Sequence, residues 1–356
     1  MAWSEEEKWI IDRLSSTGSH PDPTVSWPHL LACAREHGVS PLIHEHLDSS
    51  VVSGDVVEEF QKDHVATYVY NASMEKELAD IGRCCTRAGI EVMLLKGADL
   101  VQRLYANDPS LRRLTDIDIY VRGHDYDTFS QVIQKLGYEL YDTTDILFRK
   151  PPFVLDIHNH PSRLTRLIMS PGIPAFPITE DWLFGGATQA GAGLCLPQAE
   201  KAFVLYALHF SFVNGFHGLK WAYDLLQMLR NPDFITDKSV LRRTASEVSA
   251  DQWMACVFTY LAQVFNVPKI SCEDALLNGA QQRFLQRAAE NRTDGFDRYL
   301  LPFFSQAQTR FRFRLFLKLL FPGRQFLEYR ISRGARPGLR DYLKYYSQGF
   351  KVLKIT

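Results

Sequence analysis

The sequence predicts an α+β protein on three observations: helical periodicity up to about residue 87, a strand-like period between residues 90 and 158, and a return of the helical period beyond residue 198. In the first stretch Trp9, Ile10 and Leu14 recur at helix spacing, and Trp27, Leu30, Leu31 and Ala34 do so after a Pro/Gly/Ser-rich segment, 15–26. Near Gly89 the period changes. Ile90–Leu95 is a short apolar run closed by Lys96-Gly97, Leu114–Val121 alternates as a strand does, and Val154–His158 alternates again. Ala98–Tyr105 and Tyr126–Leu136 read as helices, the second ending before Gly137. Pro161–Pro197 is rich in Pro and Gly and reads as a connecting segment. The expected organisation is a helical N-terminal segment over 1–74, a small mixed-sheet α/β core over 75–165, a connector over 166–197, and a helical C-terminal domain with a basic tail over 198–356, with a cleft between core and C-terminal domain.

Composition excludes several classes. The chain of 356 residues is 46% hydrophobic and 23% charged, which suits a globular core rather than disorder. The opening Met1-Ala-Trp-Ser-Glu-Glu-Glu-Lys is acidic where a secretory signal is basic, so a cytoplasmic protein is expected. The apolar run Ala202–Val213 is interrupted by His209 and Ser211 and falls short of the roughly 20 residues a membrane span needs, so it reads as a buried helix. Six cysteines without a Cys-x-x-Cys pair suggest reduced thiols, not a zinc finger or a disulfide framework. Net charge is −1 overall, yet residues 310–356 carry twelve Lys and Arg against Glu328 and Asp341. Such a tail fits a polyanion, nucleic acid or a membrane surface, or a solvated face docked on an acidic domain; the second reading is adopted. Within it, Arg310–Phe321 mixes cations with Phe and Leu: the Arg/Phe alternation suggests a strand and Arg314 with Lys318 at i, i+4 suits a helix, so both stay open, and a helix packing its apolar face on the domain is favoured over a nucleic-acid or membrane-surface element.

The segment Arg112-Arg-Leu-Thr-Asp-Ile-Asp-Ile-Tyr-Val121 carries the most chemistry. Residues two apart on a strand face the same side, so Asp116 and Asp118 project together while Ile117, Ile119 and Val121 face a core. Two carboxylates on one face repel, and a divalent cation relieves the repulsion. Carboxylate ligands select a hard ion, Mg²⁺ or Mn²⁺, which keeps positions open for substrate phosphates. A third carboxylate, Asp156, shares a face with His158 and His160 on the later strand, and joins the first two if the strands pair. Three carboxylates around metal suit in-line displacement at phosphorus. Lys96 and Gly97, at a turn before a helix N-terminus, and Arg112, or Arg113, are candidates to neutralise a triphosphate. His158, His209 and Asp224 are candidates for the acceptor side, with His217 and Trp221 nearby in sequence.

These motifs resemble the uncharacterised nucleotidyltransferases of the DNA polymerase β-like superfamily. The resemblance rests on Leu95-Lys96-Gly97, Tyr105, Arg112, Asp116-Ile117-Asp118, Gly137-Tyr138 and Asp156-Ile157-His158, and continues into Leu219-Lys-Trp-Ala-Tyr-Asp224. It implies a minimal nucleotidyltransferase core and metal-dependent transfer of a nucleoside monophosphate from a nucleoside triphosphate, and does not name the acceptor; the expectation adopted is ATP as donor and a small-molecule or protein hydroxyl as acceptor. Better-known members of the superfamily carry Gly-Ser where this chain has Lys96-Gly97, a departure that bears on the phosphate grip. Two other readings stand beside this one. A catalytically inactive nucleotide- or partner-binding module would keep the fold and lack metal binding. A zinc hydrolase would use Asp156, His158 and His160.

Overall fold

The computed structural model describes residues 2–15, 25–48, 50–142, 146–159, 176–267 and 277–293, with Gly338 and Leu343. Three helices come first: α1 (Glu5–Leu14), α2 (Trp27–Glu36) and α3 (Ser40–His44). A capping box between Ser4 and Glu7 starts α1 by satisfying backbone N–H groups that have no partner inside the helix. The 35-residue helix α4 (Gly54–Ala88) follows and ends at Gly89, whose φ of 72° is the left-handed conformation a helix stop favours. It runs through the expected boundary at residue 74, because its apolar stripe of Met74, Leu78, Ile81 and Cys85 continues on one face.

Seven strands then build one mixed sheet: β1 (Val92–Leu94), β2 (Ile117–Val121), β3 (Glu139–Asp142), β4 (Leu147–Lys150), β5 (Phe153–His158), β6 (Thr188–Gly191) and β7 (Leu194–Leu196). Their order is β3-β4-β5-β2-β1-β7-β6. Strand β2 lies between β1, antiparallel, and β5, parallel. The helices α5 (Lys96–Arg103) and α6 (Tyr126–Lys135) fall where helical spacing places them. The segment read as a connector supplies the short helix α7 (Glu180–Phe184) and the hairpin β6–β7, which extends the sheet beyond β1; residues 166–175 lie outside the described residues. The hairpin seats closely on α4. A Cβ on Gly82 would stand 2.2 Å from the Ala192 carbonyl oxygen, so glycine permits the approach.

The sheet divides the protein into two cores by strand alternation. Val92, Leu94, Ile117, Ile119, Val121, Leu155 and Ile157 face α4 and α6. Met93, Tyr120 and Cys195 face the other way, into a core shared by Trp9, Ile10 and Leu14 of α1 and by residues of the later helices α8 (Ala199–Phe212), α9 (Leu219–Arg230), α10 (Lys238–Glu247), α11 (Asp251–Phe265) and α12 (Gly279–Ala289). The N-terminal helices and the C-terminal helices, far apart in the chain, therefore cover one face of the sheet together. Helix α8 is buried nearly all round, as its lack of a polar stripe requires. Among the described residues no helix is long and apolar enough to cross a membrane. Five cysteines, Cys33, Cys84, Cys85, Cys195 and Cys256, are free thiols; Cys272 lies outside the described residues. So does the basic tail 310–356, apart from Gly338 and Leu343.

Candidate active site

The parallel pairing of β2 with β5 sets Asp118 directly beside Asp156 and Tyr120 beside His158. Because side chains in register on adjacent strands share a face, the pairing brings the two carboxylates together on the helical-core side. Asp118, Asp156 and His158 are all buried, and their ligand atoms lie within 4.8 Å of one another. His158 Nε2 is 3.1 Å from Asp118 Oδ1 and 3.7 Å from Asp156 Oδ2. Two carboxylates with one imidazole form an oxygen-rich donor set of the kind a hard divalent ion takes, so the residues present fit Mg²⁺ or Mn²⁺. His160 lies outside the described residues.

Lys96 closes this group from the crossover between β1 and α5. Its ammonium ion-pairs with Asp118 Oδ1, and both side chains are buried. The Leu95 N–H donates to the Asp118 carbonyl at 3.0 Å, tying the crossover to β2, while Lys96 itself holds a φ of 50°. That left-handed conformation is uncommon for a residue with a Cβ. Gly97 follows where α5 packs against the approach to β2: a Cβ there would stand 2.3 Å from Leu114 Cδ2. Helix α5 is fastened from behind by buried Asp99, which accepts from Arg103 at 2.6 Å and from the Tyr206 hydroxyl.

Asp116 stands apart from Asp118. It precedes the first residue of β2, is half-buried, and accepts from Thr115 Oγ1 at 2.8 Å. Burial and the Asp118 charge push its carboxyl up, with Thr115, Lys96 and Lys220 opposing. Asp118 behaves oppositely. Burial alone would raise it, but the Lys96 ammonium and His158 outweigh burial and hold it well below the usual carboxylate range.

Arg112 and Asp224 belong to a second cluster and are paired with each other. Arg112 Nε donates to both Asp224 oxygens at 2.9 Å, and Nη2 lies 2.7 Å from Oδ2. Tyr105 adds its hydroxyl to Asp224 Oδ1 at 2.9 Å. Arg112 is 1% exposed and Asp224 2% exposed, so the guanidinium is committed to the carboxylate rather than presented to solvent. Trp221 covers it, with Arg112 Cζ 5.2 Å from the ring centroid and the His209 ring 5.4 Å away. His217 is placed elsewhere, its ring 5.9 Å from that of His37.

Two residues that sequence reading did not single out complete the neighbourhood. Asn71, buried on α4, donates through Nδ2 to the carbonyls of Pro109 at 2.6 Å and Arg112 at 2.9 Å, fixing the loop that leads to Asp116. Lys220, at the start of α9, packs its ammonium 4.9 Å from the Trp221 ring centroid and forms no ion pair among the described residues. Burial and the Arg112 charge lower its pKa to about 8, against the pull of Asp224 and Asp116. The signal for Lys220 was present in its spacing from Asp224, one helical turn apart on the same face. Asn71 carried no such signal, since its partners are backbone atoms of a distant loop.

Residues 23–266 match a family described as an uncharacterised nucleotidyltransferase. No curated protein and no solved structure matches the chain.

Proposed function

The chain belongs to that nucleotidyltransferase family, and from this premise we propose that it transfers a nucleoside monophosphate from a nucleoside triphosphate, ATP in the first instance, to a hydroxyl of a small molecule or protein. The acceptor oxygen forms a bond to the α-phosphorus as the bond from that phosphorus to the leaving pyrophosphate breaks. The observation that carries the reading is the in-register burial of Asp118 beside Asp156. Buried carboxylates at this spacing are costly unless a cation joins them.

In this proposal Asp118, Asp156 and Asp116 hold Mg²⁺ or Mn²⁺. Bound divalent metal supplies the positive charge that lowers the pKa of the attacking hydroxyl and offsets charge on the leaving group. Asp156 accepts the acceptor proton on a carboxylate oxygen, and His158, within reach of both carboxylates, keeps them oriented. Lys220 and Lys96 neutralise triphosphate charge. Arg112, bound to Asp224, acts on the phosphates only at longer range and chiefly holds the strand and α9 together. His209 and Trp221 line the acceptor side.

The test is calorimetric titration of ATP, GTP, CTP and UTP into wild type and Asp116→Asn/Asp118→Asn, with Mg²⁺ and then with chelator. Metal-dependent binding lost in the variant is the expected result; absence of binding for all four triphosphates would sink the proposal. The Lys96–Asp118 ion pair favours one competing reading, an inactive binding module whose carboxylate is neutralised internally. That module would bind nucleotide equally well in the presence of chelator.

A further inference from the structure

We propose that Lys96 is the resident counter-ion of Asp118 and leaves it when metal and nucleoside triphosphate enter together, so that the protein takes up divalent metal with nucleotide and not alone. The inference rests on the metal-dependent reading above. Its basis is that the Asp118 oxygen facing the site already carries a cation: the Lys96 ammonium ion-pairs with Oδ1, and His158 Nε2 lies 3.1 Å from the same atom. A magnesium ion on a carboxylate sits about 2 Å from the oxygen, and an ammonium on the same carboxylate repels it strongly in a buried setting. Metal entering alone must therefore compete with Lys96.

The exchange needs only the side chain to move. The Lys96 backbone is fixed by the Leu95–Asp118 hydrogen bond and by the close seat of Gly97 on Leu114. Lysine is a point charge on a flexible four-carbon stem, so it can rotate from carboxylate to phosphate without disturbing α5. The triphosphate supplies the new partner, and its own charge compensates the incoming metal. Arg112 shows the contrast. It grips Asp224 through a planar fork with three contacts, and no single rotation transfers it. By linkage, if nucleotide strengthens metal binding, metal strengthens nucleotide binding by the same factor.

The experiment measures Mn²⁺ affinity, read as loss of the free-ion paramagnetic resonance signal, for the full chain as wild type, Lys96→Met and Lys96→Gln. Each protein is measured alone and with a non-hydrolysable ATP analogue. The Gln variant keeps an N–H donor for Asp118 and so covers the case in which the Met variant does not fold. Without nucleotide, both variants are expected to bind Mn²⁺ about tenfold or more tightly than wild type, since a repelling buried charge is gone. The analogue is expected to tighten Mn²⁺ binding to wild type by a similar factor, and to tighten the variants less. Equal Mn²⁺ affinity in wild type and variants without nucleotide overturns the exchange and leaves the metal site standing, as does a wild-type affinity that nucleotide does not change. No Mn²⁺ binding to any protein, with or without the analogue, overturns the exchange and the metal-dependent reading together.

Discussion

Two buried charge clusters adjoin near Gly97, and they are balanced in different ways. Around Asp224 one guanidinium and one tyrosine hydroxyl meet one carboxylate, which leaves a neutral, closely bonded strut between the approach to β2 and helix α9. Around Asp118 a second buried carboxylate, Asp156, shares His158, while Lys96 pairs with Asp118 itself and the Asp118 charge helps to raise Asp116. The first cluster is complete within the chain. The second sets Asp118 and Asp156 beside one ammonium and one imidazole, and in the function proposed above it is the cluster that takes an added cation.

Breaking the strut is expected to have the largest effect. Asp224→Ala leaves Arg112 as a buried cation without its partner and should lower stability by about 3–5 kcal/mol in urea unfolding. A midpoint like that of wild type would mean that the pair is not the strut described. The two aspartates of the Asp-Ile-Asp motif should then separate. From strand periodicity alone, Asp116→Asn and Asp118→Asn are both expected to spare the fold or stabilise it by relieving repulsion. The ion pair with Lys96 corrects this for Asp118: Asp118→Asn should abolish turnover and also cost about 1–3 kcal/mol, because Lys96 loses its charged partner. Asp116→Asn should abolish turnover while Tm rises by about 1–2 °C. Equal thermal shifts in the two variants would erase the distinction.

A smaller effect is expected from Asn71→Ala, which leaves the Pro109 and Arg112 carbonyls without their donor and should cost about 1–2 kcal/mol. Lys220→Met should weaken ATP binding by about tenfold while slightly stabilising the protein, since a half-buried cation beside the Arg112 charge is removed. Weaker binding with lost stability would place Lys220 in the scaffold instead. The pH dependence sharpens the comparison further. Asp118, depressed in the folded state, contributes stability above its unfolded pKa of about 4 that is lost as pH falls toward its folded value. Asp116, raised, works against this loss by taking up a proton in the folded state, so Asp116→Asn should steepen the acid limb of the unfolding curve and Asp118→Asn should flatten it. Lys220, lowered to about 8, should add stability as pH rises from there toward its unfolded value, a gain absent in Lys220→Met.

Legibility in the sequence followed the range of the interaction. Strands β2 and β5 were visible because both alternate apolar and polar residues at a period of two, and the same alternation put Asp118 on one face of β2 and Asp156 with His158 on one face of β5; the pairing of the strands makes these the same face of the sheet. Helix α5 and the Lys96-Gly97 turn were visible from local punctuation. Strand β3, largely exposed, offers no alternation to read, and β6–β7 is short and lies among glycines, so the hairpin looked like connector.

By itself the sequence determined the α+β alternation, the carboxylate-bearing strands and their facing, because hydrophobic period and turn residues act over a few positions. Only the tertiary structure decided which charges meet. Arg112 finds Asp224 across 112 positions, Lys96 finds Asp118 across 22, and Asn71 finds the Arg112 carbonyl across 41. Each of these depends on sheet order and on helices from both ends of the chain sharing one core, and local spacing carries no information about either.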